Sequence, residues 1–102
     1  MTPQNLDGFR GYYSVIDTRP MKSGEDKERL KEFGKNLKRI RESKGYSLRS
    51  LSYECNIDYS DIGKIERGET NITLLTFFQL SEALKVSPAE LVDYIKAKEA
   101  KE

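Results

Sequence analysis

The sequence predicts an all-α domain of five helices with an N-terminal extension. Three observations carry that expectation. Apolar residues recur at spacings of three and four from Leu30 onward, the period of one helix face. Ser, Thr and Asp alternate with Gly and Asn at regular intervals, which are the residues that start and stop helices. The run Ser87-Pro88-Ala89-Glu90 combines an N-cap serine, a proline at the first helical position and a glutamate placed to close a capping box.

Residues 1–22 read as an arm or tail. They hold two of the three prolines and no helical period, and Gly11–Ile16 could form a short strand. Such a segment is either a loose terminus or an arm that packs on a partner subunit or reaches along DNA. The domain proper is expected over 23–96, with a charged tail at 97–102. Its first helix spans about 25–44: Ser23 caps it, Glu25, Asp26 and Glu28 favour its positive end, and Leu30, Phe33, Leu37 and Ile40 form its stripe. Gly45 stops it after Arg41 and Lys44. Ser47 caps a short second helix with Leu48, Leu51 and Cys55 on its apolar side. Asn56 suits the left-handed turn that follows. Ile57 plugs the turn and Asp58 caps a third helix with Ile62 and Ile65 inward, ended by Gly68. Thr73 caps a fourth helix bearing Leu74, Phe77, Phe78, Leu80, Ala83 and Leu84. The fifth carries Leu91, Val92 and Ile95.

Composition narrows the function. At 102 residues, 36% hydrophobic and 34% charged, the chain suits one small core under a solvated surface. No apolar run approaches the roughly 18–20 residues of a membrane span, and the N-terminus lacks the pattern of a secretory signal. Cys55 is the single cysteine and there is no histidine. This suits a reducing cytoplasm and argues against a zinc site or a Cys–His nucleophile. No convergent acid–base set is visible, so an enzyme is not expected. Net charge is +1, but residues 31–49 hold seven basic and two acidic side chains, while residues 50–102 hold six basic and ten acidic. A basic stretch of this kind can meet phosphates, though Lys35, Lys38 and Lys44 also read as solvated surface.

The pair of short helices joined through Cys55-Asn56-Ile57 has the spacing of a helix-turn-helix unit, whose second helix lies in the major groove. Residues 34–94, about 60% of the chain, resemble the phage-repressor-like (Xre/Cro-type) helix-turn-helix family, most visibly at Ile65-Glu66-Arg67-Gly68-Glu69 and Ala83-Leu84-x-Val86-Ser87-Pro88. The resemblance implies a lambda-repressor-like fold, binding to double-stranded operator DNA as a homodimer, and no cofactor or metal. It implies base contacts from Tyr59, Ser60 and Lys64. It also implies phosphate contacts from Ser47, Arg49, Arg67, Thr70 and Asn71, and a structural salt bridge between Arg41 and Glu66. Leu48 stands where the family commonly has Gln, Ser52 where it has Ala and Asn56 where it has Gly. Asp58 and Asp61 bring acid to the recognition helix, where they serve as helix-start residues. An antitoxin-like module that binds a partner protein as well as DNA is the competing expectation.

Overall fold

Five helices and one short antiparallel ladder make up the computed structural model, which describes residues 16–17 and 24–94. The elements are β1 (Ile16–Asp17), α1 (Gly24–Ser43), α2 (Leu48–Cys55), α3 (Tyr59–Glu66), β2 (Asn71–Ile72), α4 (Leu74–Leu84) and α5 (Pro88–Leu91). The expected cap at Ser23, the residues 11–15 of the expected strand, Ile95 and the tail lie outside the described residues.

The first four helices stop where the chain turns left-handed. Gly45 (φ 82°) and Gly68 (φ 73°) end α1 and α3. Tyr46 N–H reaches Arg41 C=O at 3.1 Å and Glu69 N–H reaches Lys64 C=O at 3.0 Å. These bonds satisfy carbonyls that a helix end otherwise leaves unpaired. Asn56 (φ 62°) turns the chain between α2 and α3. Lys85 (φ 59°) does the same after α4, with Val86 N–H on Ser81 C=O at 3.0 Å. The starts are equally well provided. Ser47 and Ser87 form reciprocal capping boxes with Ser50 and Glu90, and Asp58 and Thr73 accept from backbone N–H groups in the first turns of α3 and α4.

The core lies where the inward faces of all five helices meet, and Leu37, Leu51, Ile62, Leu80, Leu84 and Leu91 are fully buried in it. Asn36, also buried, stitches α1 to α5: its Nδ2 donates to Leu91 C=O at 2.9 Å and to Glu90 C=O at 3.2 Å. Two expectations need correction. α5 breaks after Pro88–Leu91, where Val92 leaves helical geometry (φ −119°), and Asp93 and Tyr94 are helical again. The ladder, which pairs Ile16 with Ile72 and Asp17 with Asn71, adds a strand at Asn71–Ile72 that two residues of sequence could not announce.

Candidate nucleic-acid interface

α3 is fixed to α1 by a glycine and an ion pair. A Cβ at Gly34 would collide with the carbonyl oxygens of Ile65 and Glu66, so α1 and α3 approach backbone to backbone there. About two turns further along α1, Arg41 meets Glu66. Its Nε donates to Oε2 at 2.6 Å and its Nη2 to Oε1 at 3.1 Å, and both side chains are under one-tenth exposed (8% and 5%). Arg41 Nη1 also donates to Tyr46 C=O at 2.8 Å. The hydrogen bond to Glu66 raises the Arg41 pKa against the opposing cost of burial, so the guanidinium is charged at any ordinary pH. Such a pair is strong evidence for a fixed orientation, less for net stability.

With its inner face held by Ile62, Ile65 and Glu66, α3 turns Tyr59, Ser60 and Lys64 to solvent. Ser60 is engaged within its own turn: its Oγ donates to Asp58 Oδ2, and its N–H does so at 3.3 Å. Asp58 is thus the cap that its position suggests. Gly63 is buried under neighbouring side chains. A Cβ there would meet Arg67 Nη1 at 3.1 Å and Leu48 Cδ1 at 3.7 Å.

The residues expected at the backbone of DNA surround this face in different states. Ser47 caps α2, accepting from Ser50 N–H at 3.0 Å while its own N–H donates to Ser50 Oγ at 2.8 Å. Arg49 crosses from α2 to α3: Nη2 donates to the Tyr59 hydroxyl at 3.1 Å, and Cζ lies 4.2 Å from the ring centroid. Arg67 forms an exposed fork with Glu69, Nε on Oε2 at 2.8 Å and Nη2 on Oε1 at 3.3 Å. Thr70 Oγ1 is buried with no hydrogen-bond partner among the described residues. Asn71 lies exposed on β2, its Oδ1 accepting from Ile72 N–H at 2.9 Å. The structure therefore joins Arg41 to Glu66 and Arg49 to Tyr59, and occupies Ser60 and Arg67 with local carboxylates. The roles of Gly34, Asn36 and Glu69 were not anticipated. The one available signal was Gly34 itself, a glycine inside an otherwise helical pattern.

Away from this face, Leu74, Leu75 and Phe78 make an exposed apolar strip on α4, 67%, 59% and 40% exposed. Beside it a cavity of about 470 Å³ opens between α1 and the β2–α4 junction, lined by Leu30, Phe33, Ile72 and Phe77 among others. Leu91 is fully buried. Cys55 is buried too, and burial pushes its thiol pKa up, which suits a small core hydrophobe rather than a nucleophile.

Two short helices set across a left-handed turn, the second held rigidly by its inner face and bare on its outer one, define a helix-turn-helix DNA-binding unit. Residues 37–91 match the HTH_3 helix-turn-helix family, and the chain belongs to this family of DNA-binding transcriptional regulators. It is 38% identical over 63 residues to control protein C.BamHI of Bacillus amyloliquefaciens, covering 61% of this chain and 78% of that one. It is 34% identical over 59 residues to the HTH-type transcriptional regulator y4dJ of Sinorhizobium fredii, covering 58% and 77%. The crystal structure of the restriction-modification controller protein C.AhdI of Aeromonas hydrophila superposes with a TM-score of 0.62 at 36% identity, over 63% of this chain and 97% of that one. No described helix is long and apolar enough to cross a membrane.

Proposed function

We propose that the protein is a cytoplasmic repressor that binds a pseudo-palindromic operator in double-stranded DNA as a homodimer. The observation that carries this reading is the state of α3. Its inner face is locked through Arg41 and Glu66, while Tyr59 and Lys64 stand exposed on the face that enters the groove in such units. Tyr59, Ser60 and Lys64 meet base edges. Ser47, Arg67, Thr70 and Asn71 flank them on the side of the sugar–phosphate backbone, with charge and helix-start N–H groups suited to phosphate. The exposed strip of Leu74, Leu75 and Phe78 supports a surface for the second copy. Two such copies place their third helices about 34–36 Å apart, one turn of duplex. The likeness to control protein C.BamHI and to the restriction-modification controller protein C.AhdI supports a regulator of that kind.

Selection of bound duplexes from a random pool, followed by a salt titration on the winner, tests this. A two-fold symmetric consensus is expected, with log affinity falling linearly against log salt by about 0.9 per phosphate neutralised. Failure to enrich any sequence, or affinity indifferent to salt, overturns it.

A further inference from the structure

We infer that Arg49 is a base reader: Tyr59 carries its guanidinium onto the start of α3, where the two side chains act as one element that takes a guanine edge. The inference rests on the operator-binding reading above and assigns one contact within it.

Arg49 is the second residue of α2 and Tyr59 the first of α3. The turn brings them together, and one guanidinium makes two different contacts on one phenol. It lies over the ring, Cζ 4.2 Å from the centroid, and donates Nη2–H to the hydroxyl at 3.1 Å. Cation–π attraction and a hydrogen bond together fix both the position and the tilt of a long side chain that is otherwise free to swing.

The choice of partner matters as much as the geometry. Arg41 is neutralised by Glu66 and Arg67 by Glu69. Arg49 has a neutral phenol instead, and no carboxylate pairs with it among the described residues. Its charge is therefore kept. A guanidinium has five N–H donors in a rigid fork, so one bond to Tyr59 leaves enough for a bidentate contact elsewhere.

The location selects the target. In a helix-turn-helix unit the first residues of the second helix lie at base edges, and the stack moves the Arg49 head group onto that end. α3 itself brings no arginine there. Its one cation is Lys64, Ser60 is turned to Asp58, and Gly63 has no side chain. Arginine bidentate to guanine O6 and N7 is the commonest specific contact in the major groove. Sequence position alone placed Arg49 at phosphate; the stack is the reason to move it inward.

A lysine keeps the point charge that serves phosphate but lacks the planar fork, so Arg-to-Lys is not conservative at a bidentate, stacked site, which separates the two roles. The experiment selects duplexes from a random pool with the wild-type chain, Arg49→Lys, Tyr59→Leu, Tyr59→Phe and the double variant Arg49→Lys/Tyr59→Leu. A thermal melt of each verifies folding, and the exposure of both residues makes unchanged melting the expectation. The wild type is expected to enrich one G·C pair per half-site that Arg49→Lys no longer prefers, a loss of roughly ten- to a hundredfold in discrimination. Tyr59→Leu relaxes the same pair, the double variant relaxes it no further, and Tyr59→Phe keeps most of the preference because it keeps the ring. If Arg49→Lys retains every preference and loses affinity evenly, Arg49 is a phosphate clamp and the inference falls while the operator reading stands. If Arg49→Lys and Tyr59→Leu relax different pairs, the two side chains are not one element. A wild type that enriches nothing sinks both readings.

Discussion

The two arginine–glutamate forks of this protein are nearly the same object in different surroundings. Arg41 meets Glu66 through Nε at 2.6 Å, and Arg67 meets Glu69 through Nε at 2.8 Å, each with a second bond from Nη2. The side chains of the first pair are 8% and 5% exposed, those of the second 58% and 52%. Water makes the difference. The buried pair cannot open without leaving a charge stranded in the core, so it acts as a strut between α1 and α3. The exposed pair can exchange either partner for water or a phosphate at little cost. One fork sets where the recognition helix points; the other keeps an arginine in reserve beside it.

The largest effect expected is on the strut. Glu66→Ala removes the partner and leaves Arg41 buried, which costs about 3–5 kcal/mol. That is a large share of the roughly 5–15 kcal/mol that holds an ordinary domain together. Urea or thermal melts measure it. The charge-free double variant Arg41→Met/Glu66→Leu should melt above Glu66→Ala, because no lone charge remains. A double variant no more stable than the single would show that packing, not a stranded charge, sets the cost.

The same contrast explains what could be read without coordinates. Helix ends at Gly45, Asn56 and Gly68 were legible because those residue types tolerate positive φ and stand where the apolar period lapses. Lys85 adopts the same left-handed geometry, yet nothing in a lysine marks it. The apolar spacing of Leu91, Val92 and Ile95 suggested one unbroken last helix, since spacing does not register the departure at Val92. Among site residues, Arg41 and Glu66 are 25 positions apart, and it was likeness to a family, not periodicity, that suggested the pair. Nothing suggested the stack of Arg49 on Tyr59 or the fork of Arg67 on Glu69. Contacts of exposed, flexible side chains depend on how turns bring chain segments together, and no local pattern encodes that.

A smaller effect is expected at the exposed fork, and on binding rather than stability. If Arg67 gives its donors to a phosphate, Arg67→Ala weakens binding several-fold and similarly on all duplex sequences. The slope of log affinity against log salt then falls by about 1. The melt should scarcely move, in contrast to Glu66→Ala. A changed sequence preference in the variant would remove Arg67 from the phosphate side and break the division between strut and reserve.

The smallest effect sharpens the comparison most. The hydrogen bond from Arg67, aided by its charge, holds the Glu69 carboxyl below the usual carboxylate range. A lowered folded pKa means that whatever stability the pair supplies is present above the unfolded carboxylate value, near 4.3. It is lost as pH falls through the lower folded one. Because the pair is open to solvent, Glu69→Gln should shift Tm at pH 7 by no more than about 2 °C, and the two melting curves should draw together as pH falls through the folded Glu69 value. Duplex affinity at neutral pH should rise a few-fold, since the substitution frees Arg67 and removes a negative charge from beside the phosphates. A Tm loss rivalling that of Glu66→Ala, or a gap that widens toward pH 3, would mean that the exposed fork is also a strut. Burial would then no longer account for the different fates of two forks with the same bonds.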